Sequence, residues 1–416
     1  MDYLASFYPP IGLRRPLPAL LGPTAQLLTI IPWLFPTKHG RVITTFPLLL
    51  GITLSRPYFT AGSALDDYNS ASQFFASLAV SLDFLVLQSS TEEAPRWIGP
   101  SKVLAIDGRA SETDAEAEGA SIDDKRVSLW ARFKLALRLS LYGRGIGWNW
   151  QVKNVPACTD AHLEKWAYVR RRLLLAIPAL VKKSLTVYLL GAAMISRSSA
   201  ETKVQQRLLD VAVGWLSAAN TWHSMNMLTN IGAAVTVAAG VFEQWEWPPF
   251  FGPLKEMWSV RQAWSVVWHQ LMRRTFQQPA LRLRRLLGIK KGTLSSKYFQ
   301  LYLAFAISTV FHEWDIFVAA RRDVGELRFF MLQPLVITIE DLVRWCWRKY
   351  SERSENDQLT TFERVFGWTW TFLWFSYCIP PYANGLLDAK ITAYDSRWLL
   401  MLGQRHAMDL GHSLRG

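Results

Sequence analysis

The sequence predicts an all-α protein, a polytopic bundle of about eight or nine transmembrane helices. Composition is the first observation behind this reading: half of the 416 residues are hydrophobic, and Trp alone numbers 20. The second is the recurrence of long apolar windows, near 17–36, 42–59, 72–90, 173–195, 208–242, 299–320, 329–347 and 365–387. Each approaches the roughly 20 residues that a helix needs to cross a bilayer. The stretch 208–242 is too long for one simple crossing and reads as two spans or one bent span. No solenoid-period repeat divides the chain, so residues 1–416 are expected to form a single membrane-embedded domain.

The window 17–36 is broken by Pro18, Pro23 and Pro32, and no basic head precedes it at the distance a signal peptide requires. It reads as a first span or a re-entrant segment. Asp83 and the Lys182-Lys183 pair interrupt two later windows. Either they face the protein interior or the spans end short of them. Residues 91–126 change character: the part 111–124 is rich in Ala, Glu, Asp and Ser without aromatic residues, and predicts a flexible polar loop. In 126–142, Arg132, Lys134 and Arg138 punctuate Leu129, Trp130, Phe133, Leu137 and Leu141. That pattern suits a helix lying in the membrane interface or an amphipathic packing helix.

The net charge of +13 invites nucleic acid, anionic lipid or a loop-charge bias as its cause. No recognition-helix or zinc-finger pattern supports a nucleic-acid partner. Between positions 255 and 297 ten Lys or Arg face a single acid, Glu256, and the positive-inside rule makes this segment cytosolic. Cys158, Cys346 and Cys378 show no metal or redox spacing, so neither a disulfide framework nor a metal site is expected.

Chemistry concentrates on His312, which follows the uncharged run 301–311. An ionisable side chain at membrane depth costs about 2.5–3.5 kcal/mol or more, which usually marks a reaction site or substrate path. On a helix, Ser308, His312 and Asp315 share one face, whereas Glu313 points about 100° away. Asp315 is placed to orient the imidazole and Ser308 to bond its other nitrogen. A neutral imidazole there would take a proton from a hydroxyl; the bland alternative is a histidine that bonds a neighbouring helix.

His269 stands in Trp268-His269-Gln270 at the edge of the basic segment, either as a second functional group or as an interfacial histidine beside belt tryptophans. Arg273 and Arg274 follow one turn later and suit either phosphate recognition or topology marking. His223, with Asn220, Asn226 and Asn230 nearby, reads as part of a structural polar stripe, and His39, His162, His406 and His412 lie in loop-like contexts. Other motifs fail on spacing. No histidine stands at 316 to complete a zinc-protease motif, Gly-x-Ser-x-Gly is absent, and residues 143–147 lack dinucleotide spacing. Asp66-Asp67 and Asp123-Asp124 lack the second acidic cluster of a magnesium-diphosphate site.

With these residues in view, the chain resembles the wax-synthase-like branch of the membrane-bound O-acyltransferases, and within it the fungal acetyltransferases of terpenoid and meroterpenoid pathways. The resemblance rests on Trp268-His269-Gln270 followed some forty residues later by His312 inside the next span. It also rests on residues 144–150 leading into Asn154-Val155-Pro156, on Ser259-Val260-Arg261, and on 329–341 with Gln333 and Glu340-Asp341. It is strongest over 140–350. Thr309 after Ser308, and residues 263–269 without glycine or arginine, depart from the family pattern.

The resemblance implies direct ester formation from acyl-CoA and an alcohol, without a permanently bound cofactor. His312 would be the general base, and His269, flanked by Trp268 and Gln270, would position the donor or stabilise the oxyanion. Basic residues including Arg273 and Arg274 would meet the CoA phosphates. For a lipophilic terpenoid alcohol the implied donor is acetyl-CoA, with long-chain wax-ester synthesis as the alternative. An endoplasmic-reticulum or other endomembrane protein, bathed in lipid bilayer, is the expected setting. A proton-coupled transporter would show inverted repeats, which are not visible, and a prenyltransferase would depend on magnesium.

Overall fold

The computed structural model describes residues 2–34, 38–87, 95–99, 120–121, 128–141, 143–352, 354 and 358–413. Most of the polar segment predicted at 91–126, including Asp123-Asp124, lies outside the described residues. The main helices are α1 (Leu21–Ile30), α2 (Lys38–Ser55), α3 (Ala64–Ser81), α4 (Leu129–Leu141), α5 (Lys165–Ser198), α6 (Lys203–Ala238), α7 (Arg273–Leu286), α8 (Leu294–Ala320), α9 (Glu326–Tyr350), α10 (Thr361–Asp388) and α11 (Arg397–Ser413). Strand is confined, among the described residues, to two-residue pairs: β1 (Arg15–Pro16) parallel to β2 (Phe59–Thr60), and β3 (Arg96–Trp97) antiparallel to β4 (Ala120–Ser121).

Every apolar window in the sequence holds helix. Among the described residues, three are long and apolar enough to cross a membrane: α3 with its π-helical continuation to Leu87, α5, and α8. The others are shorter or more polar. α1 has ten residues, and α9 carries Glu340, Asp341 and Arg344 within its length. The long window 208–242 resolves into one 36-residue helix, α6.

The chain sorts into two compact units, one of residues Met1–Ala157 and Gln270–Arg322, the other of Cys158–His269 and Asp323–Gly416. In the first, α3 packs on α1, α2 and α8, and α7 packs on α8. Ser63 caps α3 by accepting the amide of Asp66, and Thr293 caps α8 by accepting that of Ser296. α4 turns Leu135, Ala136 and Leu139 into a core shared with Ile30, Trp33, Phe84 and Trp148. Its Leu129 and Trp130 stay exposed, and the Lys134 ammonium stands over the Trp130 ring. After α4, Gly145 takes a positive φ of +64° with the Trp150 ring against it, a place where a Cβ would be doubly penalised.

In the second unit α5 and α6 form a hairpin, with α11 packed on α5 and α10 on α6. Thr202 caps α6 by accepting the Gln205 amide. The lysine pair that interrupts the sequence window divides in two: Lys183 is buried and ion-paired with Asp395, whereas Lys182 is exposed. Asp83, in the first unit, is likewise buried and paired, with Arg274. Both outcomes follow from the cost of an unpaired charge away from water.

Candidate active site

In the first unit, α8 places Ser308, His312 and Asp315 on one face, as the spacing predicts. Ser308 and Asp315 are buried and His312 is half-buried. The partners come from α3. The Tyr68 hydroxyl lies 3.2 Å from His312 Nδ1, and one helical turn on, the Ser72 hydroxyl donates to Asp315 Oδ2. Asp315 Oδ1 has no hydrogen-bond partner among the described residues. So the role of holding the imidazole, assigned from sequence to Asp315, is taken at Nδ1 by Tyr68. Phe311 stands edge-on to His312 at 5.3 Å and is itself packed by Phe75 and Phe276.

Tyr68 is held by what precedes it. Asp67 is fully buried and accepts from the guanidinium groups of Arg14 and Arg56, each at 2.8 Å, and from the Thr60 hydroxyl at 3.1 Å. Two buried cations on one buried anion make a rigid, high-stakes anchor, because loss of the carboxylate would strand both guanidinium charges. Arg14 Nη1 also donates to the Val318 carbonyl at 2.8 Å, joining this anchor to α8.

Arg273 and Arg274 open α7 but face different partners. Arg274 is ion-paired with Asp83 at 2.6 Å, with its guanidinium over the rings of Phe84 and Trp150. Arg273 donates to the Gln270 Oε1 at 3.0 Å and to the Lys153 carbonyl at 3.3 Å, and burial pulls its pKa below the ordinary guanidinium value. Gln270 is buried.

In the second unit, a helical turn Val260–Gln262 runs into a π-helical turn Ala263–Val267, and Trp268 then leaves in extended conformation. His269 is therefore set on non-helical backbone, its ring among Phe250 (5.5 Å), Phe251 (6.0 Å) and Trp268 (5.3 Å). Trp222 of α6 stacks on Phe251 at 3.8 Å. Gly252 makes the close approach possible: its N–H donates to the Val267 carbonyl at 2.9 Å, and a Cβ there would collide with the Val266 carbonyl.

Two of the family-like stretches meet in this unit. Glu340 accepts the amides of Val260 and Arg261, and Arg261 forms a two-pronged contact with Asp341 at 2.5 and 3.2 Å. Gln333, fully buried, accepts from the indoles of Trp264 (3.2 Å) and Trp374 (3.1 Å). Along α6, Asn220 is buried and Asn230 accepts from Arg172 at 3.3 Å, in keeping with a structural polar stripe.

The residues that sequence reasoning misses are Tyr68 and Ser72. Their four-residue spacing, two hydroxyls on one face at the start of an apolar helix, was the available signal.

Residues 247–332 match the model of the membrane bound O-acyl transferase family, a stretch that contains both His269 and His312. The chain is 26% identical to the acetyltransferase ple2 of Rhodocybe pseudopiperita, over 90% of its own length and 92% of that protein's. It is 27% identical to the acetyltransferase eriL of Hericium erinaceus (89% and 91%), and 26% to the acetyltransferase sirH of Leptosphaeria maculans (85% and 87%). No solved structure matches the chain. A family segment that holds both candidate histidines, near-full-length likeness to three acetyltransferases and membrane-length helices agree: the chain is an acyltransferase, similar to the membrane-bound O-acyltransferases.

Proposed function

We propose that the protein transfers an acetyl group from acetyl-CoA to a hydroxyl of a lipophilic terpenoid or meroterpenoid alcohol, with His312 as general base. The observation that carries the proposal is a half-buried imidazole in the apolar helix α8, with the Tyr68 hydroxyl of α3 3.2 Å from its Nδ1. As the alcohol oxygen attacks the thioester carbonyl, the imidazole takes its proton; the tetrahedral intermediate then collapses with cleavage of the C–S bond, and the imidazolium returns the proton to the CoA sulfur. The names of the relatives favour an acetyl donor.

His269 is the second assignment: among its aromatic neighbours it holds the donor or stabilises the oxyanion. Arg273 is the better candidate of the two arginines for CoA phosphate, since Arg274 is committed to Asp83. The remaining apolar helices would complete eight or nine spans in an endomembrane such as the endoplasmic reticulum, where a lipophilic acceptor concentrates.

The test is to supply microsomes expressing the chain with labelled acetyl-CoA and a panel of terpenoid alcohols. Label is expected in an ester, and His312→Ala should lose it by roughly 100-fold or more at unchanged protein level. Intact transfer by His312→Ala would remove the base, and transfer only from a long-chain acyl-CoA would make the protein a wax-ester synthase.

A further inference from the structure

We infer that the corner where α7 turns into α8 seats in the lipid interface and recognises the anionic headgroups of one leaflet; the inference rests on α8 crossing the membrane. α7 carries an apolar stripe along its length. Phe276, Ala280, Leu283 and Leu287 recur at spacings of four, three and four, so they share one face. Over the first half of the helix that face is covered: Ala280 is buried, and Phe276 stands edge-on to Phe311 of α8, ring centroids 5.8 Å apart. Further on the cover runs out. Leu283 and Leu287 are exposed, as are Leu286 beside them and Leu294, the first residue of α8. Four open leucines at the start of a membrane-length helix call for an apolar neighbour, and the bilayer is the one at hand.

The corner is held in shape. The amides of Gly288 and Ile289 donate to the carbonyls of Arg285 and Arg284, each at 3.1 Å, and Arg284 Nη1 donates to the Ile289 carbonyl at 2.8 Å. The Thr293 hydroxyl caps α8 and donates to the Lys290 carbonyl at 2.9 Å. Depth follows from α8. Its uncharged run begins at Leu301, seven residues past Leu294, or about 10 Å along the helix, which sets the leucines at headgroup level. Charge then names the lipid. Residues 282–297 hold six Lys or Arg and no acid, and Arg285, Lys290 and Lys291 are exposed. Such a cluster directly beside a span, with leucines interleaved, complements a negatively charged leaflet. The phosphates of acetyl-CoA are the competing anion, but that donor brings no long chain for the leucines to bury against.

The experiment uses the full chain with Cys346→Ser in lipid nanodiscs; Cys158 and Cys378 are buried, and an NBD fluorophore is placed on Leu286→Cys or on Val310→Cys. Phosphatidylcholine nanodiscs carry an equal fraction of either phosphatidylcholine or phosphatidylserine with a quenching nitroxide on its acyl chain. At Leu286 both lipids should quench, the serine lipid roughly threefold more strongly. Lys290→Gln with Lys291→Gln should remove most of that excess and leave quenching by the choline lipid. Leu287→Cys serves in the same way where Leu286→Cys does not fold. A probe at the corner that neither lipid quenches, equal quenching by the two, or an excess untouched by the lysine substitutions overturns the inference. So does an NBD response to acetyl-CoA with equal lipid quenching, which would give the lysines to CoA phosphates. Val310, exposed on α8 within the uncharged run, is the control on the span. If its probe escapes both lipids, α8 as a span falls; if it is quenched and the corner is not, only the interface inference falls.

Discussion

Arg274 and Asp83 form a buried ion pair at 2.6 Å, and the guanidinium is sandwiched over the rings of Phe84 and Trp150. An arginine so committed is not available to a phosphate. Arg274→Gln should therefore act on stability, by about 3–5 kcal/mol, because it strands Asp83 in the interior. Thermal unfolding in detergent measures this, and adding Asp83→Asn should recover most of the loss. A stable Arg274→Gln with a tenfold higher KM for acetyl-CoA would return the residue to CoA binding.

The second prediction concerns Asp67, the single acid between Arg14 and Arg56. Asp67→Asn leaves two buried guanidinium groups without a counter-charge and should cost about 3–5 kcal/mol. The start of α3 should loosen first, and backbone hydrogen exchange over residues 60–70 reads that directly.

Gly252 yields a third. Gly252→Ala places a methyl group against the Val266 carbonyl, so the backbone that ends at His269 has to shift. Activity is expected to fall more than global stability does. Equal transfer rates in Gly252→Ala and the unsubstituted protein would show that the position of His269 is not critical.

A fourth prediction is a pH dependence at Cys158. Burial, reinforced by the nearby Asp160, pushes this thiol up from about 9 to about 11. A raised thiol pKa means that the folded state favours the neutral form. Its contribution to stability is complete below pH 9 and is lost as pH rises through 11. At pH 8 only about one thiol in a thousand is ionised, so iodoacetamide should spare Cys158 while it modifies the exposed Cys346. Peptide mass spectrometry distinguishes the two sites.

Much of this was legible before any coordinates. The shared face of Ser308, His312 and Asp315 follows from helical spacing alone, and the windows fell on helices because apolar runs of that length have few other solutions. The joining of Arg261 to Asp341 was not readable, since an ion pair across 80 positions leaves no local pattern. Tyr68 and Ser72 left only a faint pattern, two hydroxyls four residues apart, which beside Asp66-Asp67 looks like a solvated helix start. Asp315 misled because sequence neighbours suggest their own partners, whereas in the fold its acceptor oxygen is taken by another helix. Of the eight windows, three hold, among the described residues, helices long and apolar enough to cross a membrane; hydropathy along a run does not tell interior aromatic packing from lipid contact.

The α5–α6 hairpin has one more consequence. At 1.5 Å per residue, helices of 34 and 36 residues measure about 51 and 54 Å, against a hydrocarbon layer of about 30 Å. About 20 Å of α5, the member of the pair that is long and apolar enough to cross a membrane, must tilt or stand clear of the oil, and the Arg197–Asp210 pair with Asn384 at the hairpin's turn suits the wet end. Such a pair of helices works like a mooring post taller than the tide. Bilayers of different thickness can ride at different levels against it, so a change of lipid chain length should cost this hairpin little through hydrophobic mismatch.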